Sequence, residues 1–407
     1  MDNDNNRRPI DWEKGDGRPY VERAREKYNN MNDEEKKKVD ELKREVYERL
    51  GISDEENDRY NKSAGSLIGG AVGDALGYQI EFKGGVKEKE VTRYDGKGII
   101  SDDTQMTLFT ANALLWRETR LNLRGIAPLP VDAIYMGYLD WLETQTKEKN
   151  ETPICWIKEI PELNYRRAPG NTCISALNSG KKGTIDNPIN NSKGCGTVMR
   201  IAPIGLYARN SISAGEIAAE ASAITHGHPL GYIPSFVMAS MINLLLNNNM
   251  TIKDSLERSI EELKKYNKFK QEDVQVLISL IDKAVELSKK NISDIDAIKE
   301  IGEGWVAEEA LAIALYSCLK YSNSFEDAIV CAVNHDGDSD STGAIAGNII
   351  GTYLGLSNIP KYYLDDLELK DTILEISHDL SIDIPVGEYK ENNDKKWLDK
   401  YLYHHKV

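Results

Sequence analysis

Ser63-Ala64-Gly65-Ser66-Leu67-Ile68-Gly69-Gly70-Ala71-Val72-Gly73-Asp74-Ala75-Leu76-Gly77 carries a glycine at every fourth position from Gly65. Gly343, Gly347, Gly351 and Gly355 repeat the pattern near the other end of the chain. A period of four keeps these residues on one face of an α-helix. Glycine in a helix interior costs about 1 kcal/mol relative to alanine, so such stripes make sense where they let backbones approach closely. Leu67, Ile68 and Val72 surround the first stripe, and Ile345, Ile349 and Ile350 the second. Both helices therefore belong at the centre, packed tightly against other helices or against each other.

Outward from these stretches, helical periodicity is dense and strand signal scarce. Met106, Leu108, Phe109, Ala111, Ala113, Leu114 and Leu115 predict a buried helix. Further helices are expected over 131–145, 172–179, 213–224, 232–246, 251–266, 271–289 and 306–320. Loops rich in Gly, Asn and Pro separate them, notably 180–196, and the Lys- and Glu-rich segment 247–300 reads as an exposed helical hairpin without chemistry of its own. The fold class is all-α.

Residues 1–62 differ, being charged and poor in apolar side chains. Within them a helix is expected over 33–50, capped by Asn32 or Asp33 and ended by Gly51. Val39, Leu42, Val46 and Leu50 form one narrow apolar stripe on it. The chain thus divides into a charged N-terminal extension, 1–62, and a body, 63–407. The extension is read either as a helix docked by its stripe or as a partner-binding arm.

Composition narrows the function classes. The 51 basic and 66 acidic residues leave a net charge of −15, which argues against general nucleic-acid binding. Five scattered cysteines without a CxxC pair fit reduced thiols better than disulfides or a zinc site. No apolar leader segment follows Met1 and no uninterrupted apolar run reaches membrane-spanning length. The expectation is a soluble, cytoplasmic protein with no membrane partner.

The chemistry lies in two acidic clusters, Ser101-Asp102-Asp103-Thr104 and Asp336-Gly337-Asp338-Ser339-Asp340-Ser341-Thr342, each running into a buried-looking helix. Crowded carboxylates without a cation repel and raise one another's pKa. Hard oxygen donors clustered this way suit divalent cations such as Mg²⁺. An EF-hand fails, because Ser341 replaces the required glycine and Gly347 the bidentate glutamate. A haloacid-dehalogenase-type phosphatase motif fits Asp338 to Thr342 locally, with 328–333 as its strand, but too little chain follows for that domain. Gly194-Cys195-Gly196 is not a dinucleotide fingerprint, since Met199 stands at the third glycine position. A flexible loop whose amides approach a ligand is the better reading. Taken alone, His226 and His228 read as structural.

Read together, five segments resemble the ADP-ribosylglycohydrolase family. They are Gly69 to Gly77 leading to Glu81, Ser101 to Met106, Gly194 to Pro203, Thr225 to His228, and Asp336 to Gly343, in that order over about residues 63–360. The resemblance implies an all-α domain with a dinuclear cleft holding two Mg²⁺, or Mn²⁺ in some members. By position, Ser101, Asp102, Asp103, Asp338, Asp340 and Ser341 look like its metal ligands. Glu81 matches the family's mobile glutamate, and Glu81, Asp102 and Asp103 look like the catalytic groups. Gly194, Cys195, Gly196, Met199 and His226 look like the ADP-ribose-binding segment. Asp74 reads as a buried hydrogen-bonding residue. Serine at 101 and 341 replaces a common threonine and keeps the hydroxyl, while Asp336 replaces a common glycine and adds a carboxylate beside the ligands.

The implied activity is hydrolysis of ADP-ribose from a modified protein, most plainly at arginine, with ADP-ribosyl-serine or O-acetyl-ADP-ribose as the alternative. Carboxylates beside the ribose carbon suit an oxocarbenium-like transition state. An ADP-ribosyltransferase toxin is a candidate partner, its modification reversed by hydrolysis or the toxin itself bound and occluded by residues 1–62.

Overall fold

The structure, a computed structural model, describes residues 54–81 and 90–403. The helix expected over 33–50 lies outside the described residues. Among the described residues there are sixteen α-helices and no strand, only two isolated bridges, Gly98–Leu367 and Gly194–Val306. The first half comprises α1 (Asp54–Tyr78), α2 (Asp102–Arg124), α3 (Pro130–Thr146), α4 (Asn171–Asn178), α5 (Ala202–Tyr207), α6 (Ser211–Ala223), α7 (Pro229–Asn248) and α8 (Ile252–Lys265). The second comprises α9 (Gln271–Leu287), α10 (Asp294–Ile301), α11 (Ala307–Lys320), α12 (Phe325–Val333), α13 (Ser339–Leu354), α14 (Lys361–Asp365), α15 (Lys370–Ser381) and α16 (Lys395–Leu398). The expected helices fall within a few residues of these bounds.

Local chemistry sets the ends. Ser101, Asn210, Thr251, Ser293, Ser324 and Asp338 each accept a backbone N–H at a helix start. Gly125 ends α2 in the left-handed conformation, φ 66°. Buried α7 lies at the middle, against α5, α6, α8, α9, α11 and α13. It is the one described helix long and apolar enough to cross a membrane, and nearly all of it is enclosed by its neighbours.

The glycine stripes meet each other. A methyl group on Gly65 would fall 2.2 Å from the Gly351 carbonyl oxygen, on Gly69 2.4 Å from that of Gly347, and on Gly73 2.0 Å from that of Gly343. Gly77 stands in the same relation to Ser339. One series ascends as the other descends, so α1 and α13 pack antiparallel, backbone on backbone. Their close approach is what the eight glycines permit.

Two expectations need correction. The 247–300 segment is not an exposed hairpin: α8 buries Ile252, Leu256 and Leu263, α9 buries Val274, Leu277, Ile278 and Ile281, and both pack on α7 and α11. Apolar residues three or four apart in a charged background bury one face, whatever the overall composition. Residues 328–333 are not a strand but part of α12, which removes the phosphatase reading.

Candidate active site

The antiparallel seam brings the C-terminal end of α1 to the N-terminal end of α13. Glu81, just beyond α1, therefore meets Asp338 and Asp340, with ligand oxygens of all three within 4.8 Å of one another. Asp74, two turns earlier, reaches the start of α2. Its carboxylate accepts the Ser101 N–H at 2.9 and 3.0 Å, the Thr104 N–H at 3.0 Å and the Thr104 hydroxyl. Ser101 Oγ caps α2 by accepting the Asp103 N–H at 3.2 Å.

The second cluster is held by its own turn. Asp338 caps α13 by accepting the Ser341 N–H at 3.2 Å, and Asp340 Oδ1 accepts the same N–H at 2.9 Å. His335 Nδ1 accepts the Gly337 N–H at 3.1 Å, while its Nε2 lies 2.9 Å from the Thr342 hydroxyl. Gly337 passes so close to Glu303 that a Cβ there would sit 1.7 Å from the carbonyl oxygen.

Between the clusters opens a cleft of about 500 Å³. Glu81, Asp102, Asp103, Asp338, Asp340 and Ser341 line it together with Gly194, Cys195, Gly196, Met199 and His226. Ser101, immediately before the lining residues Asp102 and Asp103, is buried at the α2 cap. Gly194-Cys195-Gly196, expected as a flexible loop, instead leads into a turn of 3-10 helix, Cys195–Arg200, whose last four residues are buried. Asp336, expected beside the ligands, is exposed and faces a separate cavity of about 420 Å³ behind the Glu303 and Gly337 wall.

Asp102, Asp103, Asp338 and Asp340 are buried. Burial raises the pKa of each. It lifts Asp338 to about 6 and Glu81 to about 9, the Asp340 charge adding to the rise at Glu81. Asp102 and Asp103 are pushed well up by burial and then by Asp340. Asp103 Oδ2 and Glu81 Oε2 are buried without a hydrogen-bond partner. Among the described lining residues the one Lys or Arg is Arg166, exposed at the rim. Mutually repelling carboxylates with orphaned oxygens fit the ligand chemistry of hard divalent cations.

Several lining residues escaped the sequence reading. Ala168, Pro169, Gly170, Asn171 and Thr172 form one wall, with Ala168 in the left-handed region at φ 52°. A non-glycine residue there is uncommon and is found at functional sites. Gly170 donates its N–H to Asp102 Oδ2 at 3.3 Å, and α4 begins here with no side-chain cap. The Pro-Gly-Asn run before a short helix was the available signal. Trp305, 42% exposed in the cleft with its carbonyl accepting the Cys195 N–H at 3.2 Å, had none beyond the neighbouring Gly302 and Gly304.

Comparison with known proteins agrees with this architecture. The ADP-ribosylglycohydrolase family model matches residues 55–389. The chain is 22% identical over 330 residues to the ADP-ribosyl-[dinitrogen reductase] glycohydrolase of Rhodospirillum rubrum, covering 76% of this chain and 92% of that protein. It is 25% identical over 337 residues to the ADP-ribosylarginine hydrolase Tri1 of Serratia proteamaculans, covering 80% of each. A solved structure described as an ADP-ribosylglycohydrolase-related protein complex shares the fold, with a TM-score of 0.59 at 23% identity over 80% of this chain and 98% of that one. With its metal-compatible acidic cleft, this chain belongs to the ADP-ribosylglycohydrolase family, hydrolases of ADP-ribose linkages.

Proposed function

We propose that the protein is a divalent-metal-dependent hydrolase that releases ADP-ribose from a modified protein side chain, arginine being the preferred acceptor. The observation that carries the reading is the set of orphaned, buried carboxylate oxygens at the bottom of a cleft in a chain of this family. Likeness to a protein described as an ADP-ribosylarginine hydrolase favours arginine over serine or O-acetyl-ADP-ribose.

Asp102, Asp103, Asp338 and Asp340, with the hydroxyls of Ser101 and Ser341, would hold two cations, Mg²⁺ or Mn²⁺. When bound, the cations supply positive charge that orients ribose hydroxyls and acidifies water. Glu81 Oε2, buried and without a partner, is the site that takes the proton of the attacking water. Carboxylate charge around the ribose carbon stabilises the positive charge developing there. The uncapped start of α4 offers N–H groups to the pyrophosphate, and Trp305 offers a flat apolar face to the adenine. The deciding experiment incubates the protein and Mg²⁺ with arginine- and serine-ADP-ribosylated proteins and measures released ADP-ribose. Release from arginine is expected, and release from neither overturns the reading.

A second reading concerns residues 1–62, most of which precede the family match. This charged segment acts as an arm that binds an ADP-ribosyltransferase toxin. Deleting residues 1–53 should abolish toxin capture while hydrolysis persists. Undiminished capture refutes it.

A further inference from the structure

Arg200 is fully buried and pairs with no carboxylate among the described residues. Its NH1 contacts two sulfurs, Met106 Sδ at 3.5 Å and Cys173 Sγ at 3.4 Å. Its NH2 reaches the Ala221 carbonyl near the end of α6 at 3.5 Å and Thr225 Oγ1 at 2.7 Å. The guanidinium lies 4.3 Å from the Tyr138 ring centre, and its Nε has no hydrogen-bond partner. A cation kept in the core without an anion is costly. Its surroundings supply only a helix C-terminal carbonyl, a ring face, two sulfurs and one hydroxyl. That hydroxyl leads to the cleft.

Thr225 Oγ1 lies 2.8 Å from His226 Nδ1. A guanidinium can only donate, so Thr225 accepts from Arg200 and has a single proton left to give. Its two possible acceptors are His226 Nδ1 and the Cys173 thiol. An imidazole nitrogen is a much better acceptor than a thiol sulfur, and Cys173 already faces Arg200. The ring is wedged under the Gly194–Gly196 turn, with Nε2 at 3.2 Å from where a Gly194 Cβ would stand, and it lines the cleft. Burial, and then the Arg200 charge, lower the imidazole pKa to about 3, so the ring is neutral under ordinary conditions.

We infer that Arg200, acting through Thr225, fixes His226 in the tautomer that carries its proton on Nε2, so that the ring presents a neutral N–H donor to an anionic or hydroxyl oxygen bound in the cleft. Arg200 and Thr225 are positioning residues: they orient a proton without touching the ligand. That the ligand is ADP-ribose rests on the function proposed above, whereas the tautomer does not.

The test is a long-range ¹H–¹⁵N spectrum of the ¹⁵N-histidine-labelled full-length protein at pH 7. The chain has six histidines, and His226→Gln identifies the relevant signal by its loss. The expected pattern is that of a single Nε2–H tautomer. Thr225→Val should convert it to a mixture or to Nδ1–H and weaken ADP-ribose binding about tenfold, the scale of a hydrogen bond to a charged group. Thr225→Ser should restore both. Arg200→Gln, whose amide can accept as well as donate, should release the constraint on Thr225; if it does not fold, the Thr225 pair carries the test. An Nδ1–H or cationic His226 in the unsubstituted protein overturns the inference, as do identical spectra for Thr225→Val and Thr225→Ser. Failure of ADP-ribose to bind the unsubstituted protein counts against the functional reading alone, since the spectrum still decides the tautomer.

Discussion

The α2 start is tied from outside, by Asp74 of α1, which accepts the N–H groups of Ser101 and Thr104. The α13 start is tied mainly within its own turn, through Asp338 as cap and the His335 ring, with one outside tie, the Asp338 N–H donated to the Glu303 carbonyl at 2.8 Å. Both present buried carboxylates to one cleft, yet their dependence on the rest of the molecule differs. The first cluster keeps its geometry only while α1 stays in place. The second keeps its turn through its own residues and the Glu303 carbonyl, and relies on α1 for Glu81. The glycine seam between α1 and α13 sets both distances at once.

The comparison breaks most severely at the carboxylates themselves. Asp103→Ala and Asp340→Ala, one from each cluster, should each lower ADP-ribosyl hydrolysis on the order of 10³-fold, with unchanged helical circular dichroism. If only one of them loses activity, the two clusters do not form a single centre.

Asp74→Ala tests the external tie. It leaves the buried Ser101 and Thr104 N–H groups without an acceptor, at a cost of about 2–3 kcal/mol in urea unfolding, and activity should fall with it. Thr342→Val, which loosens the self-held turn, should cost about 1 kcal/mol. Equal losses at both sites would erase the distinction drawn between them.

At the seam, Gly73→Ala gains about 1 kcal/mol of helix propensity. It also places a methyl group 2.0 Å from the Gly343 carbonyl oxygen. Overpacking against an unyielding backbone costs about 3 kcal/mol, so a net loss of about 2 kcal/mol is expected. Adding Gly343→Ala should cost less than its own single-variant loss, because the helices have already been forced apart. Strict additivity would mean the stripes do not bear on each other.

The smallest effect is a pH dependence. In the cation-free protein the Asp74 and Asp338 carboxyls are raised to about 6 and Glu81 to about 9. A pKa higher in the folded than in the unfolded state contributes stability that is full below the unfolded value, near 4, and is lost as pH rises through the folded value. The cation-free Tm should therefore drop from pH 5 to pH 9. Mg²⁺ requires the deprotonated groups, so the Tm increment it brings should be a few degrees larger at pH 8 than at pH 6. Equal increments would show that these carboxylates do not hold the cation.

The helices were legible because their signals are local. Periodicity of three or four residues, Ser and Asp caps, and Gly125 all act within one or two turns. The acidic clusters were legible for the same reason, since their residues are consecutive. Residues 168–172 and Trp305 were not, because a short wall beside a cleft has no period. The 247–300 segment misled because its average charge hid a one-sided stripe. Asp336 misled because proximity in sequence says nothing of which side of a turn a side chain takes.

By itself the sequence determined an all-α body, two glycine-striped central helices and two oxygen-rich helix starts, all properties of neighbouring residues. Tertiary structure decided that the stripes pair with each other, and in antiparallel sense. The stripes alone suit several partners, and only the mutual fit of backbone against backbone selects one. That pairing sends Asp74 to one acidic cluster and Glu81 to the other. It is a choice made by close packing over more than 250 residues of chain, beyond the reach of any local signal.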